Sequence, residues 1–155
     1  NYSVDPDHPN CRAESKRPYH TILPCLVTNE DGELLATLTN MGGFMQPQGH
    51  VQHLVNLYHL NLDPQQSVDA PRFCFKQIDT DDKCMAKEVH VEAHYGENFI
   101  RELENMGHHV LTVDPHDSYA RGNAVGKAQI ITRCPKTKVL VAGSDPRADG
   151  CAIGY

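Results

Sequence analysis

Thr39-Asn40-Met41-Gly42-Gly43-Phe44-Met45-Gln46-Pro47-Gln48-Gly49-His50 reads as a strand end, two adjacent glycines, and a helix opened by Pro47. Before it, Leu34 to Thr39 has the aliphatic and β-branched content of a strand. After it, Val51, Leu54, Val55 and Tyr58 recur at helical spacing, which predicts a helix from about Pro47 to Leu60. Glycine adopts backbone conformations that side chains forbid and lets main-chain amides approach a ligand closely. Two glycines between a strand and a helix can therefore aim N–H groups at an anion, which is the outline of an oxyanion hole. For Gly42-Gly43 taken alone, a tight connection with no ligand is the favoured reading, since turn glycines are common, so other segments have to shift the balance.

Upstream, Leu26-Val27-Thr28, the Asn29-Glu30-Asp31-Gly32 turn and Leu34 to Thr39 predict a hairpin, with Asp-Gly as its turn signal. Its second strand delivers the chain to Gly42. Asn1 to Arg17 is dense in Asp, Pro and His and reads as a loop. Pro18-Tyr19-His20-Thr21-Ile22-Leu23-Pro24 is bounded by two prolines, which push neighbouring residues toward extended conformations and suit it to present His20 and Thr21 rigidly.

Downstream, Asp63 is placed to cap a short helix over Pro64 to Asp69 that ends at Ala70-Pro71. Phe73 to Gln77 is a strand candidate, and Ile78 to Lys87, with three aspartates, is a loop. Glu88 to His94 alternates, with Val89, Val91 and Ala93 on one face and His90, Glu92 and His94 on the other. A helix over Glu97 to Met106 ends at Gly107. His109 to Val113, Val125 to Thr132 and Lys138 to Ala142 complete the strands, and Gly143 to Tyr155 reads as a polar, irregular tail. Strands and helices come in groups, which indicates α+β layering rather than regular βαβ alternation.

The chain has 155 residues, enough for one domain with a real core. A formal charge of −6 with no basic block argues against a nucleic-acid surface and favours small molecules or proteins as partners. Every apolar run is cut well short of the roughly 18 residues that span a bilayer. No signal peptide is visible, but the chain opens at Asn1 without an initiator Met, so its N-terminus is expected upstream. Cys11, Cys25, Cys74, Cys84, Cys134 and Cys151 form no CxxC pair. Free, partly buried thiols in a reducing compartment are the favoured reading, and with them a cytoplasmic location.

His50 and His53 lie three apart on the first helix, yet no third ligand accompanies them, so a packed or solvated helix face is preferred to a metal site. His90 and His94 receive the same reading, and no cofactor is implied. His20 and Thr21 are adjacent in an extended segment and so point to opposite faces, which argues against a direct base–nucleophile pair. No cysteine has an obvious activating neighbour.

Lys16 to Pro24 (KRPYHTILP), Met41 to Gln52 (MGGFMQPQGHVQ) and Ser144 to Tyr155 (SDPRADGCAIGY), with Asp69 to Phe73 between them, resemble the C-terminal part of the small subunit of the gamma-glutamyltranspeptidase family. The His20-Thr21 pair looks like an acylase-like branch, because the glutathione-processing branch has two serines there. The resemblance implies a partial αββα sandwich of the N-terminal-nucleophile hydrolase type over 1–155. In that class a Thr freed by self-cleavage attacks an amide carbonyl, with its own α-amine as base. It further implies that Gly42 and Gly43 form the oxyanion hole and that His20 and Thr21 contact substrate. The nucleophile, the rest of the small subunit and the large subunit would lie outside this chain, and the substrate would be a small amide or gamma-glutamyl compound. Without the nucleophile strand, the central sheet is expected to show an uncovered edge and exposed core. The rival expectation is a non-catalytic binding protein that keeps the fold.

Overall fold

The turn at Asn29 to Gly32 closes the expected hairpin, β1 (Cys25–Thr28) against β2 (Leu34–Asn40). Gly32 donates to the Asn29 carbonyl and takes a φ of 81°, a left-handed conformation that suits glycine. The structure, a computed structural model, describes residues 3–76, 88–114, 117 and 123–155. The loop expected over Ile78 to Lys87 lies outside them.

β2 carries the sheet on to β6 (Ala128–Arg133) and then β7 (Leu140–Ser144), all antiparallel, in the order β1-β2-β6-β7. Pairing of Leu38 with Ile130 and of Asn40 with Ala128 puts these four residues on one face, where all are buried. α1 (Met45–Tyr58) and α2 (Pro64–Asp69) cover that face, with Leu57 and Val68 completing the cluster around Leu38, Ala128 and Ile130. The opposite face has no cover among the described residues. There Leu26, Ile131 and Leu140 are 70%, 43% and 63% exposed, so the sheet presents apolar side chains of the kind that a second sheet packs against. The chain thus supplies one β layer and one α layer.

α2 forms as its sequence dictates. Asp63 accepts from the Gln66 N–H, the Gln66 side chain accepts in return from the Asp63 N–H, and Pro64 opens the helix. α1 starts two residues earlier than expected, at Met45. Pro47 is its third residue, where a missing N–H costs no helical bond. Its rotation also differs from what the apolar spacing suggests. Val51, Val55 and Tyr58 are exposed, Leu54 packs against the core, and Met45, Gly49, His50, His53 and Leu57 are buried. Close approach sets this rotation: a Cβ on Gly49 would lie 2.5 Å from Asn40 Cγ, so the helix rests on β2 through its glycine.

A second sheet, β3-β4-β5, pairs β3 (Phe73–Lys76) antiparallel with β4 (Glu88–Glu92), and β4 parallel with β5 (His109–Val113). The parallel pair needs a crossover, which a short 3-10 turn at Ala93–Tyr95 and α3 (Glu97–Asn105) provide, so one βαβ unit stands beside the grouped strands. Met45, Cys74, Val113, Ala124 and Val125 form a second buried cluster beneath the start of α1.

Three strand boundaries differ from expectation for local reasons. β4 stops at Glu92, where the 3-10 turn takes over. Residues 123–125 are helical and Gly126 has a φ of 75°, so β6 starts at Ala128 rather than Val125. The turn after β6 runs on to Val139, whose carbonyl accepts from the Cys134 N–H, and β7 is displaced to Leu140. The tail is also less irregular than its composition suggests: Gly143 and Ser144 finish β7, and Asp145 and Arg147 are buried. Among the described residues, no helix is long and apolar enough to cross a membrane.

Candidate functional site

β2 ends at Asn40, and the chain turns through Gly42 (φ 127°) and Gly43 (φ 61°) into α1. The two glycines are needed for different reasons. A Cβ on Gly42 would stand 2.9 Å from Met45 Cβ and 3.2 Å from Gly126 Cα, whereas Gly43 has open space around it and needs glycine for its backbone conformation. Their carbonyls accept the first helical bonds, from the Met45 and Gln46 N–H groups, both at 3.1 Å. Both glycines are exposed, and among the described residues no acceptor receives either N–H. N–H donors without an acceptor on exposed residues at a helix N-terminus can stabilise an oxygen that gains negative charge.

The Pro18–Pro24 segment crosses in front of this turn. Tyr19, His20 and Thr21 share a cleft of about 300 Å³ with Gly43, Phe44 and Gln46. On its other side Thr21 borders a second cleft of about 320 Å³, reached by Thr39, Lys127 and Gln129. Gly43, His20 and Thr21 therefore meet in one place, whereas Gly42 does not line that cleft. Gln46 holds the segment, with Nε2 donating to the Thr21 carbonyl and Oε1 accepting from the Leu23 N–H, each at 2.8 Å.

Other glutamines hold the elements beneath in the same way. Gln48 and Gln52 on α1 each take the N–H and carbonyl of one β3 residue, Phe75 and Phe73 respectively, at 2.8 to 3.1 Å. Gln65 on α2 does the same for Ser144 at the outer edge of β7. Each carboxamide stands in for a missing strand neighbour and satisfies main-chain groups at a sheet edge. Sequence spacing gives no signal for them, since the partners lie 21 to 79 residues away.

Behind the glycine turn sits a buried cluster of four ions. Arg72 bonds Asp145 at 2.5 Å, and Arg147 bonds Asp145 at 3.0 Å and also Glu92; all four side chains are buried. Two positive and two negative charges balance, and main-chain groups fill the remaining valences: Arg72 donates to the Val68, Val125 and Gly126 carbonyls, and Arg147 to those of Val68 and Ala70. Burial disfavours the Asp145 charge, but Arg72, Arg147 and the N–H groups of Arg147 and Ala128 outweigh it and hold its carboxyl below the usual range. The cluster ties β4, the α2–β3 connection, β6 and the chain after β7 together, and so fixes the two sheets relative to each other.

His50 and His53 belong to packing. His53 is fully buried, its Nδ1 lies 3.2 Å from Ser67 Oγ, and burial together with the Arg72 charge pushes its pKa down to about 3. His50 is lowered by burial as well. His90 pairs instead with Glu88 on its own strand, 2.6 Å away. Among the described residues, no group of three or more His, Cys, Asp or Glu is placed to hold a metal ion.

A β layer with helices on one face and a strand-to-helix glycine turn at its end define half of a sandwich of the N-terminal-nucleophile hydrolase class. The chain belongs to the gamma-glutamyltranspeptidase family, whose sequence model, described as gamma-glutamyltranspeptidase, matches residues 1–155. It is 28% identical over 153 residues to the glutathione hydrolase-like YwrD proenzyme of Bacillus subtilis, covering 99% of this chain and 27% of that protein. The oxamate amidohydrolase proenzyme of Klebsiella pneumoniae is also 28% identical, over 154 residues, with the same coverage. Among solved structures, cephalosporin acylase from Bacillus halodurans superimposes with a TM-score of 0.75 at 37% identity, over 100% of this chain and 27% of that one. Gamma-glutamyltranspeptidase from Pseudomonas nitroreducens has the same fold, with a TM-score of 0.69 at 24% identity, over 94% of this chain and 68% of that one. The chain thus spans about a quarter of the length of the curated relatives it matches.

Proposed function

We infer that residues 1–155 are the C-terminal part of the small subunit of a precursor enzyme, and that the complete protein hydrolyses or transfers across a small amide or gamma-glutamyl bond. The observation that carries this reading is the pair of exposed glycines, Gly42 and Gly43, whose N–H groups no acceptor among the described residues receives, with Gly43 lining the cleft that His20 and Thr21 also line. Relatives named for action on oxamate and on cephalosporin support amide chemistry as the class.

In this reading the attacking group is a Thr at the start of the small subunit, ahead of Asn1. Its hydroxyl oxygen adds to the amide carbonyl carbon while its own α-amine takes the hydroxyl proton. The carbonyl oxygen becomes an anion and accepts from the Gly42 and Gly43 N–H groups, donors already oriented before the charge develops. Collapse breaks the C–N bond, the departing amine takes the proton from the ammonium, and water or an acceptor amine then releases the acyl group from the Thr. His20 and Thr21 contact the acyl side and select it. The preceding part of the precursor covers the open sheet face at Leu26, Ile131 and Leu140. Its large subunit and the start of its small subunit are the partners of this chain.

The test is expression of the complete precursor, with mass spectrometry of the products and hydrolysis assays against simple amides and gamma-glutamyl anilides. The expected result is cleavage into two subunits, the smaller beginning with Thr, together with amide hydrolysis. A precursor that stays intact and turns over no amide would overturn the reading.

A further inference from the structure

Gln46 touches both walls of the candidate cleft. Through its main chain it donates to the Gly43 carbonyl at 3.1 Å, as part of the first turn of α1. Through its side chain it takes the Thr21 carbonyl and the Leu23 N–H, both at 2.8 Å. The two side-chain contacts straddle Ile22 in the pattern by which a parallel strand grips its neighbour. Among the described residues, no other hydrogen bond ties His20, Thr21, Ile22 or Leu23 to another part of the chain. Proline at each end makes the segment stiff, but stiffness does not fix its distance from the glycine turn.

We propose that Gln46 is a positioning residue, which sets the His20-Thr21 wall at a fixed distance from the Gly43 N–H. The proposal rests on the reading of this cleft as an amide-substrate site. One carboxamide meets a donor and an acceptor at once, because its planar oxygen and NH2 group match the spacing of the two main-chain groups. A side chain of equal length without those groups would leave the Thr21 carbonyl and Leu23 N–H to water and let the wall drift. Substrate is then held less well, while the glycine turn keeps its own geometry.

The experiment uses the complete protein with Gln46→Met and Gln46→Glu. Gln46→Met is expected to raise KM by about tenfold with kcat within about threefold of the parent, and to speed hydrogen exchange of the Leu23 amide. Gln46→Glu separates positioning from bulk. Its carboxylate still accepts from Leu23 but faces the Thr21 carbonyl with no proton, and only the protonated acid restores both bonds. Its KM relative to the parent should therefore fall as the pH is lowered through the pKa of the new carboxyl, which a merely structural role would not produce. Unchanged Leu23 exchange in Gln46→Met, or faster exchange with an unchanged KM, would overturn the proposal. An inactive parent protein would instead sink the amidase reading, and the exchange measurement would still decide whether Gln46 holds the segment.

Discussion

The Arg72 guanidinium donates a 2.9 Å hydrogen bond to the Gly126 carbonyl, and so joins the buried ion cluster to the glycine against which the Gly42-Gly43 turn rests. Gly126 is pressed closely on its other side, since a Cβ there would fall 2.0 Å from the Met41 carbonyl oxygen. The Met41 N–H meanwhile donates to the Lys127 carbonyl at 2.9 Å. The Gly42-Gly43 turn is therefore braced by residues far away in sequence, and the ion cluster reaches it through Gly126.

Removing one ion should destabilise the fold strongly, because the buried cluster is left with one uncompensated charge. Glu92→Leu is expected to cost about 3 to 5 kcal/mol, read as a lowered urea midpoint of the complete protein. Adding Arg147→Met should recover a large part of the loss, since the stranded charge goes with it. If the double variant were as unstable as the sum of its singles, charge pairing would not be the source of the effect.

His53 makes stability depend on pH. Its folded pKa is about 3, against an ordinary value of 6.5, so above 6.5 it is neutral in both states and has no effect. Between the two values the unfolded chain takes up a proton that the folded chain refuses, and stability falls as the pH drops, by up to about 1.4 kcal/mol per unit for this group. Asp145 acts in the same direction, because its depressed carboxyl contributes stability that is lost as the pH falls through its folded value. His53→Gln keeps a partner for Ser67 but cannot titrate. Its urea midpoint should decline less than that of the parent between pH 6.5 and about 4, and an equal decline would exclude His53 as the source.

How much of this was legible in the sequence depends on how far apart the partners are. Asp63 and Gln66 are three residues apart, so the α2 cap could be read directly, as could the Asp31-Gly32 turn and the strand-to-helix junction at Gly42-Gly43. Glu92, expected on the same face as His90, is buried, because its partner Arg147 comes from 55 residues away. Local alternation carries no record of such a partner. The same holds for Asp145 and Arg147, which look like part of a polar tail, and for the glutamines that grip β3 and β7. Of the candidate cleft, Gly43, His20 and Thr21 were visible through motifs, whereas Gln46 lies within a quoted motif without any sign that its side chain reaches Thr21.

Gly49→Ala tests the contact that sets the rotation of α1. The new methyl would sit 2.5 Å from Asn40 Cγ, in a place where Asn40 is itself buried, so a cost of about 1 to 3 kcal/mol is expected from overpacking. Asn40→Ala makes room, and in that background the same substitution should cost much less. Urea midpoints of the two singles and the double close the cycle; a coupling near zero would mean that α1 is seated by its other contacts.

If the complete protein has the proposed amidase activity, Gly43→Val should lower kcat far more than it weakens substrate binding. No neighbouring atom lies within 4 Å of a Cβ at this position, so the effect would come from the backbone rather than from a clash in the fold. At a φ of 61° a β-branched residue is strongly disfavoured, and relaxing that φ re-orients the N–H. Loss of one oxyanion donor costs on the order of 100- to 1,000-fold in kcat. His20→Ala should act instead on KM and on the choice of acyl group, because the substrate contact proposed for it would not change as charge develops on the carbonyl. Steady-state kinetics of both variants, with folding checked by circular dichroism, separate the two roles. Near-normal kcat in a well-folded Gly43→Val would return Gly42-Gly43 to a plain connection between β2 and α1.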